Sequence, residues 1–257
     1  MADFPSDEYS KKKAFYAGLL TIYGRKPVLE ALQDAAIPIH CLHLADSNKS
    51  GGTMREIEQL AEQRNVSIKY HSKIELSRIS KNSREDQGVA ADLQLPYYQR
   101  FDAFLRSLAA EPKEKIIALD RITNPQNLGM LLRSACAGGI DAVLIPEKGC
   151  APLSPLVIKA SAGTLFKCPI VRCADLPEAL LSLRQRHFSL CVLSSHAEQD
   201  LFALEKNTAR VYVLGNETEG VSAEIMGLAD LTIRIPMAHG VESLNVAVTA
   251  ALIAYCG

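Results

Sequence analysis

Residues that could do chemistry cluster after two buried-strand patterns near the end of the chain. The runs Val211–Leu214 and Leu231–Ile235 are rich in β-branched and aliphatic residues, which is typical of buried strands. Turn-forming and polar residues follow each run, Gly215–Glu217 after the first and Pro236–Gly240 after the second. Ligands of open α/β sheets bind outside the carboxyl ends of the strands. Two such ends in succession therefore predict one shared site.

A helical pattern follows this predicted site. Ser243–Tyr255 carries apolar residues at helical spacing, and Ser243 is the predicted N-cap. Asn245 then falls just inside the helix, where asparagine is unfavourable, so a direct role in the site is the better explanation for it. Ser243 fits either a cap or a direct role. Upstream, the stretch Asp120–Ala135 reads DRITNPQNLGMLLRSA and leads into another predicted helix, Leu128–Ala137.

These stretches resemble the signature motifs of a known family. In this order and spacing, LGNE, IPM and ESLNVAVTAAL are similar to the second and third motifs of the SpoU (TrmH-type) RNA ribose methyltransferases, and DRITNPQNLGMLLRSA is similar to the first. The resemblance covers about Tyr23–Gly257 and is strongest towards the C-terminus. It implies a SPOUT fold, in which a mostly parallel α/β sheet carries a deep trefoil knot, and a homodimer formed through the knotted domain.

The resemblance also implies S-adenosyl-L-methionine as the cofactor, held by Gly215, Ile235 and Leu244. These residue types suit that role, because a glycine lets the backbone approach a ligand closely and two aliphatic side chains offer apolar walls for an adenine. No metal is implied. The chain has no G-x-G-x-x-G motif, which speaks against the alternative of a nucleotide-binding oxidoreductase of the doubly wound kind.

Five residues are candidates for the methyl transfer itself: Asn127, Arg133, Glu217, Ser243 and Asn245. Attack of a ribose 2′-hydroxyl on a sulfonium methyl needs in-line positioning and either a base or stabilisation of the developing oxyanion. The resemblance implies that Asn127 and Arg133 are substrate-site residues and that Arg133 activates the hydroxyl. Because arginine stays protonated in proteins, we interpret Arg133 primarily as a phosphate clamp and oxyanion stabiliser. Base action would need a site that favours the neutral guanidine. Glu217 is expected to orient Arg133 or a ribose hydroxyl.

Two residues depart from the family pattern. Thr218 stands where many relatives have glycine, so the turn after Glu217 must avoid a positive φ at Thr218 or accept strain. Asn124 stands where aspartate is common before the proline. Neither departure removes one of the candidate chemical groups.

Composition sets the class of protein. The 257 residues are 48% hydrophobic and 22% charged, which is typical of a folded soluble chain. The formal net charge of -1 gives no overall basic field, so RNA binding must rest on local patches. The seven cysteines form no C-x-x-C pair, which favours reduced thiols over disulfides or a zinc site. Without a secretory signal or a membrane-length apolar run, a cytoplasmic location is expected.

Four segments are predicted: a polar leader over residues 1–20, an RNA-binding α/β domain over 21–98, a linker over 99–114 and the SPOUT methyltransferase domain over 115–257. In the last segment strands alternate with helices, which predicts a mostly parallel sheet covered on both faces. In the α/β domain, the basic residues from Arg64 to Arg84 indicate either a solvated face or a surface that contacts RNA phosphates.

The smaller domain bears on the substrate. It resembles the substrate-binding module of SpoU enzymes that modify large-subunit rRNA, and the tRNA-specific relatives usually lack it. We therefore predict methylation of a guanosine ribose in 23S-type rRNA. The alternatives are a tRNA ribose 2′-O-methyltransferase and a non-catalytic RNA-binding protein of the same fold.

Overall fold

The computed structural model describes residues 15–16, 19–35, 37–49, 51–95, 98–205 and 208–256. Within them the chain forms two compact units, the first ending at Tyr98 and the second beginning at Gln99. Most of the predicted leader lies outside the described residues. In the part of the chain that is described, no helix combines the length and the apolar character needed to cross a membrane.

The first unit is a small α/β fold built on a four-stranded sheet. Its elements are β1 (Leu20–Tyr23), α1 (Arg25–Gln33), β2 (Ile39–Ala45), α2 (Thr53–Gln63), β3 (Ser67–His71), α3 (Lys73–Ser80) and β4 (Val89–Leu93). The strand order is β1-β4-β2-β3. β4 pairs antiparallel with β1 and with β2, and β2 pairs parallel with β3.

A row of hydrogen-bonded polar side chains, here named the sheet-crossing row, spans all four of these strands. Thr21 on β1 donates to Asp92 Oδ1 on β4 at 2.6 Å. His43 Nε2 on β2 lies 3.0 Å from Asp92 Oδ2, and His43 Nδ1 lies 3.0 Å from Nε2 of His71 on β3. His43 is only 6% exposed. Each group therefore satisfies its neighbour inside the unit.

The electrostatics of Asp92 reflect this environment. Burial by itself raises the pKa of the Asp92 carboxyl. The hydrogen bonds from His43 and Thr21, together with the histidine charge, outweigh that effect and hold the pKa of Asp92 below its usual range. The row thus contains a carboxylate that folding stabilises in its charged form.

The predicted basic run of the first unit is divided between two roles. The Arg64 guanidinium donates to four carbonyl oxygens, two in the last turn of α1 and two in the turn that follows it. Arg64 therefore closes the end of a helix and is not available to a phosphate. Lys73, Lys81 and Arg84 are exposed, and the prediction of a phosphate-contacting surface now rests on residues such as these.

The second unit is a larger α/β fold. Its elements are β5 (Tyr98–Arg100), α4 (Phe101–Ser107), β6 (Lys115–Leu119), α5 (Pro125–Ala137), β7 (Ala142–Pro146), α6 (Pro155–Ala160), β8 (Ile170–Cys173), α7 (Leu176–Gln185), β9 (Ser189–Leu193), β10 (Gln199–Asp200), β11 (Arg210–Leu214), α8 (Ala223–Met226), β12 (Leu231–Arg234) and α9 (Val246–Tyr255). The eight strands are ordered β10-β12-β9-β11-β6-β7-β8-β5. Pairing is parallel from β10 through β8. The predicted α/β class, with a mostly parallel sheet and a smaller N-terminal unit, is confirmed.

The segment predicted to be a linker, residues 99–114, contributes to the fold of the second unit. It contains most of β5 and all of α4. Phe104 and Leu108 are 6% and 8% exposed and belong to the main hydrophobic core beside Ile116 and Val171. The apolar residues of this segment explain the difference, because burying them stabilises the unit more than leaving them in a solvated connection.

Helix α5 carries two of the predicted site residues, and its start is well determined by sequence. The Asn124 side chain caps it by accepting hydrogen bonds from the N–H groups of Gln126 (2.8 Å) and Asn127 (3.2 Å). Pro125 occupies the first helical position, where its fixed φ is favourable. The apolar face of the helix is fully buried.

Two glycines fix the position of α5 between its neighbours. A Cβ added at Gly129 would lie 2.5 Å from the Cβ of Ala160 on α6, and one added at Gly138 would lie 2.3 Å from the Cβ of Ala254 on α9. Such distances are far inside van der Waals contact. Helix α5 therefore packs against both neighbours with no room for an extra methyl group.

The register of the sheet aligns the strand ends that form the site. Leu214 of β11 pairs with Leu119 of β6, and the N–H of Asp120 donates to the carbonyl of Leu214 at 2.8 Å. β9 and β12 run parallel to β11 on its other side. The carboxyl ends of β6, β9, β11 and β12 therefore meet at one edge of the sheet.

Candidate active site

A cavity of about 990 Å³ opens at the carboxyl ends of β9, β11 and β12. The residues after these strands and the segment before α9 form its walls. Gly215, Ile235 and Leu244, the predicted cofactor residues, all line it, and so do Glu217 and Ser243. The fold thus brings together five of the eight predicted site residues, which come from three separate segments of the chain.

The walls of this cavity fit an adenosyl group. Its volume lies at the upper end of the range of about 300–1,000 Å³ that is typical of small-molecule sites. Met237, Val241 and Leu244 supply apolar surface. The backbone groups of Met237 and Leu244 have no hydrogen-bond partner within the described residues, so they are available to a ligand. Apolar walls combined with free main-chain donors and acceptors suit an adenine and its ribose.

A short loop, Asn216–Gly220, forms one wall. Asn216 and Gly220 exchange backbone hydrogen bonds of 3.1 and 2.9 Å, and the Asn216 side chain accepts from the N–H of Thr218 at 2.8 Å. Gly220 takes a left-handed φ of 67°, and Thr218 is not among the residues with positive φ. The loop therefore avoids strain at Thr218 by placing a glycine where the unusual conformation is needed.

Gly215 has a clear steric reason. A Cβ at this position would lie 2.2 Å from the carbonyl carbon of Gly220. The absence of a side chain therefore lets the loop close on its own backbone beside the cavity. The contact with Gly220 thus accounts for a glycine at this position. Close approach of a ligand to Gly215, the role expected from the sequence, stays a prediction.

Three of the predicted catalytic residues form what we name the amide–carboxylate chain. Asn245 Nδ2 donates to Asn127 Oδ1 at 3.0 Å, and Asn127 Nδ2 donates to Glu217 Oε1 at 2.5 Å. Glu217 and Asn245 are exposed, and Asn127 is half-buried. The chain joins α5, the loop after β11 and the start of α9. Because Glu217 also lines the cavity, the amide–carboxylate chain connects the cavity wall to helices α5 and α9.

The prediction that Ser243 caps the last helix is wrong. Helix α9 begins at Val246 and Asn245 is its N-cap, since Asn245 Oδ1 accepts from the N–H of Ala247 at 2.9 Å. The same amide donates through Nδ2 to Asn127. A serine hydroxyl has one proton to donate, whereas asparagine offers an acceptor and two N–H donors. Asn245 can therefore cap the helix and join the amide–carboxylate chain at once, and Ser243 is left as an exposed residue of the cavity wall.

Arg133 lies on α5, six residues after Asn127, and its side chain is exposed. Within the described residues it has no hydrogen-bond or ion-pair partner, and it does not line the cavity. Glu217, one of whose expected roles was to orient Arg133, instead accepts from Asn127. Arg133 therefore shares helix α5 with Asn127 but forms no bond to the amide–carboxylate chain.

The structure adds site residues that the sequence prediction missed. Ser194, Ser195 and His196 follow β9 and line the cavity. The signal for them is the apolar run Leu190–Leu193 in β9, because ligands of open α/β sheets bind outside the carboxyl ends of such strands. Asp120 is also new. Its Oδ2 accepts from the N–H of Ser222 at 2.6 Å and so holds the far end of the segment that follows β11.

The described residues contain no group of three or more His, Cys, Asp or Glu side chains arranged to hold a metal ion. All seven cysteines are free thiols.

Two family models account for most of the chain. Residues 114–255 match the model described as the SpoU rRNA Methylase family, and residues 21–99 match one described as RNA 2'-O ribose methyltransferase substrate binding. The chain belongs to the SpoU rRNA methylase family. As a SpoU methylase it is an RNA methyltransferase that uses S-adenosyl-L-methionine.

Individual relatives agree with this assignment. A protein of Mycobacterium avium (strain 104), described as an uncharacterized tRNA/rRNA methyltransferase, is 31% identical over 233 residues, which are 91% of this chain and 75% of that protein. A putative TrmH family tRNA/rRNA methyltransferase of Staphylococcus saprophyticus is 30% identical over 237 residues, which are 92% of this chain and 94% of that protein. The SpoU methyltransferase AviRb of Streptomyces viridochromogenes, solved in complex with AdoMet, is similar in fold. Its TM-score is 0.64 at 23% identity, covering 98% of this chain and 92% of that one.

Proposed function

We propose that this SpoU methylase transfers the methyl group of S-adenosyl-L-methionine to a ribose 2′-hydroxyl of RNA, with the cofactor held at the cavity by Gly215, Ile235 and Leu244. The observation that carries the proposal is the amide–carboxylate chain, which ties the cavity wall at Glu217 to α5 and α9. The match of residues 21–99 to a 2'-O ribose substrate-binding model supports a ribose as the acceptor.

The proposed chemistry divides between the cofactor and the chain. When bound, S-adenosyl-L-methionine supplies an electrophilic methyl group on a sulfonium. Glu217 Oε1 is occupied by Asn127, whereas Oε2 has no hydrogen-bond partner within the described residues. In this proposal Oε2 accepts a hydrogen bond from a ribose hydroxyl and orients its oxygen for in-line attack. The hydroxyl proton would be lost to water as the ribose oxygen takes the methyl group, and the sulfur would keep the electron pair of its broken bond to that methyl. Ser243, also on the cavity wall, is a further hydrogen-bonding group for the substrate.

Arg133 has a different role in the proposal. Its guanidinium is exposed and without a partner in the described part of the chain, so it can engage a substrate group without first breaking an internal bond. Arginine stays protonated and binds phosphate oxygens in a bidentate manner. We assign to Arg133 the clamping of an RNA phosphate and the stabilisation of negative charge that develops on the ribose oxygen.

Large-subunit rRNA is the proposed substrate, with a guanosine as the modified nucleotide. Support comes from the match of the second unit to the SpoU rRNA Methylase family and from the presence of a first unit that matches an RNA substrate-binding module. A tRNA substrate is the second candidate, because the relatives quoted above are described as tRNA/rRNA methyltransferases.

A homodimer formed through the second unit is part of the proposal. Val248 and Tyr255 on α9 are 47% and 71% exposed, and Met130 on α5 is 41% exposed. These two helices pack against each other, so their exposed apolar side chains suit an interface. A sedimentation mass twice that of the 28.0 kDa chain would agree with it.

The trefoil knot stays a prediction, as does a cytoplasmic location. The return of α9 to pack on α5, after β12 on the far side of β11, is consistent with a threaded chain end. The free thiols favour a reducing compartment.

The proposed function is tested by transfer of labelled methyl from S-adenosyl-L-methionine to total RNA from cells that lack this protein, followed by separation of the RNA by size. We expect label in the large rRNA, in a dinucleotide that resists alkaline cleavage because its 2′-hydroxyl is blocked. Label confined to tRNA would keep the chemistry and replace the substrate. Label in alkali-sensitive nucleotides would contradict the ribose assignment. Cofactor binding without transfer to any RNA fraction would favour the non-catalytic alternative.

A further inference from the structure

Arg121, the second residue after β6, has a backbone conformation that its side chain disfavours. Its φ is 59°, in the left-handed region that glycine adopts freely and other residues adopt at a cost. Such conformations persist where the surrounding structure holds them in place. The contacts of Arg121 show what holds it.

The guanidinium of Arg121 contacts the cavity loop Asn216–Gly220 through two nitrogens. Nη1 donates to Glu219 Oε2 at 2.5 Å, and Nη2 donates to the carbonyl of Gly220 at 3.3 Å. The carbonyl of Arg121 accepts from Asn216 Nδ2 at 3.2 Å. Arg121 therefore binds both ends of the loop, with its side chain at one end and its backbone at the other.

The third nitrogen is directed away from the loop. Arg121 Nε is buried without a hydrogen-bond partner, and it lies 3.5 Å from Asp120 Oδ1. Asp120 is itself 6% exposed and holds Ser222 through its other oxygen. The guanidinium thus lies between a buried carboxylate that belongs to the framework and an exposed carboxylate, Glu219, that belongs to the loop.

Little else holds this loop. Residues 217–220 are all exposed, so hydrophobic burial does not fix them. Apart from the hydrogen bonds within the loop, the side-chain tethers of its described residues are those from Arg121 and the bond from Asn127 to Glu217. Arg121, which follows β6, holds Glu219, and Asn127, in the first turn of α5, holds Glu217.

We propose that Arg121 is a positioning residue that holds the Asn216–Gly220 loop in the conformation that completes the cofactor cavity, through its bonds to Glu219, Gly220 and Asn216. The inference rests on the proposed cofactor site. It assigns to Arg121 no contact with cofactor or RNA. Its effect is on the affinity for S-adenosyl-L-methionine, because an unfastened loop must be ordered again when the cofactor binds.

The test is a calorimetric titration of S-adenosyl-L-methionine into the full chain without RNA. In Arg121→Gly the guanidinium is lost from beside the Asp120 carboxylate, which lowers stability, and the positive φ becomes unstrained, which raises it. Because these two effects oppose each other, thermal stability is expected to change little, while Kd rises about tenfold. A merely structural arginine would give the opposite pair of results, lower stability and unchanged affinity. Wild-type-like affinity in Arg121→Gly would overturn the inference.

A matched pair of carboxylate variants isolates the ion pair. Glu219 and Glu147 each pair with a half-buried arginine of the second unit, at 2.5 Å with Arg121 and at 3.3 Å with Arg100. Only Glu219 lies on the cavity. Glu219→Gln is expected to raise the Kd for the cofactor about threefold, the scale of an exposed ion pair, and Glu147→Gln to leave it unchanged. Equal effects of the two variants would contradict a specific role for Arg121.

Charge reversal provides the rescue. Arg121→Glu alone is expected to weaken cofactor binding more than Arg121→Gly, because two carboxylates then face each other. Adding Glu219→Arg should recover part of that loss, and no recovery would contradict the tether.

Leu244→Arg tests the cavity itself. If this variant binds the cofactor as wild type does, the proposed cofactor site fails, and the inference fails with it. If Leu244→Arg loses binding while Arg121→Gly does not, only the inference about Arg121 fails.

Discussion

The sheet-crossing row of the first unit and the amide–carboxylate chain of the second are both made of hydrogen-bonded polar side chains drawn from distant segments. In the first, every facing atom has a partner and His43 is 6% exposed. In the second, Glu217 and Asn245 are exposed and Glu217 also lines a large cavity. The first row is closed within its unit, and the second is open to a ligand.

By residue type alone the first row looks more catalytic. A carboxylate, two histidines and a hydroxyl make up the familiar inventory of acid–base catalysis. The second chain has two amides and one carboxylate. Exposure and position in the fold, more than residue type, therefore indicate which polar cluster is a functional site. Only the amide–carboxylate chain lies at the carboxyl ends of parallel strands. The sheet-crossing row, which is buried at His43 and half-buried elsewhere, is instead suited to joining four strands into one sheet.

The largest effect is expected from Arg133→Ala. Loss of a group that stabilises developing charge typically lowers kcat by about 10²–10³. Stability should change by less than about 0.5 kcal/mol, because the side chain is exposed and unpartnered in the described residues. Steady-state methyl transfer at saturating cofactor and RNA measures kcat, and urea denaturation measures the stability. Arg106→Ala, which removes an exposed arginine of α4, is the matched control, and equal loss of kcat in both variants would refute the role of Arg133.

Asp92→Ala should break the sheet-crossing row without harming the chemistry. It leaves the His43 Nε2 donor buried and unpaired, which we expect to destabilise the first unit by about 3 kcal/mol. Asp92→Asn is the control, because its carbonyl can still accept from His43 and its amide can donate to Thr21, so the loss should be about 1 kcal/mol. Urea denaturation reports both. The Kd for S-adenosyl-L-methionine should not change in either variant. A large change would mean that the sheet-crossing row also affects cofactor binding, which we assign to the second unit alone.

Glu217→Gln should have a smaller effect than Asp92→Ala, and it should lower the rate of methyl transfer and leave stability nearly unchanged. The substitution removes the charge that accepts from Asn127 and replaces one acceptor oxygen with a donor. A tenfold drop in kcat, equivalent to about 1.4 kcal/mol, is expected with little change in stability because Glu217 is exposed. Methyl transfer at saturating cofactor and RNA measures it. Unchanged kcat together with a large loss of stability would mean that Glu217, like Asp92, has a structural role and no role in catalysis.

The smallest effect is expected from acid pH. The pKa of Asp92 is lowered in the folded state, so its contribution to stability is fully present above the unfolded-state pKa of about 3.9 and is lost as pH falls through the lower folded-state pKa. The difference in unfolding free energy between wild type and Asp92→Asn should therefore shrink below about pH 4. Denaturation series at pH 6, 4 and 3 would reveal it, and a difference independent of pH would mean that Asp92 is not stabilised in its charged form.

Local patterns predicted much of the second unit, because strand runs are set by neighbouring residues, although the predicted helix Leu128–Ala137 begins three residues later than α5 does. The choice of cap for α9 was not predictable in the same way. Serine and asparagine cap helices about equally well, and the contact that favours Asn245 comes from Asn127, 118 positions away. The grip of Arg121 on Glu219 spans 98 positions and has no local signal. Arg64 likewise looked like part of a basic patch until the end of α1 was seen to surround it.

The packing of α5 has a consequence for protein engineering. Replacing a helical glycine by alanine is a common route to greater thermal stability, since glycine disfavours a helix interior by about 1 kcal/mol. At Gly129 the added methyl would meet α6, so this helix cannot be improved by that route. Gly138 follows the helix with an ordinary negative φ of -88°, so a consensus-guided design would judge alanine harmless there, yet the methyl would meet α9. Glycine-to-alanine substitutions that stabilise this enzyme should therefore be sought away from α5 and the residue that follows it.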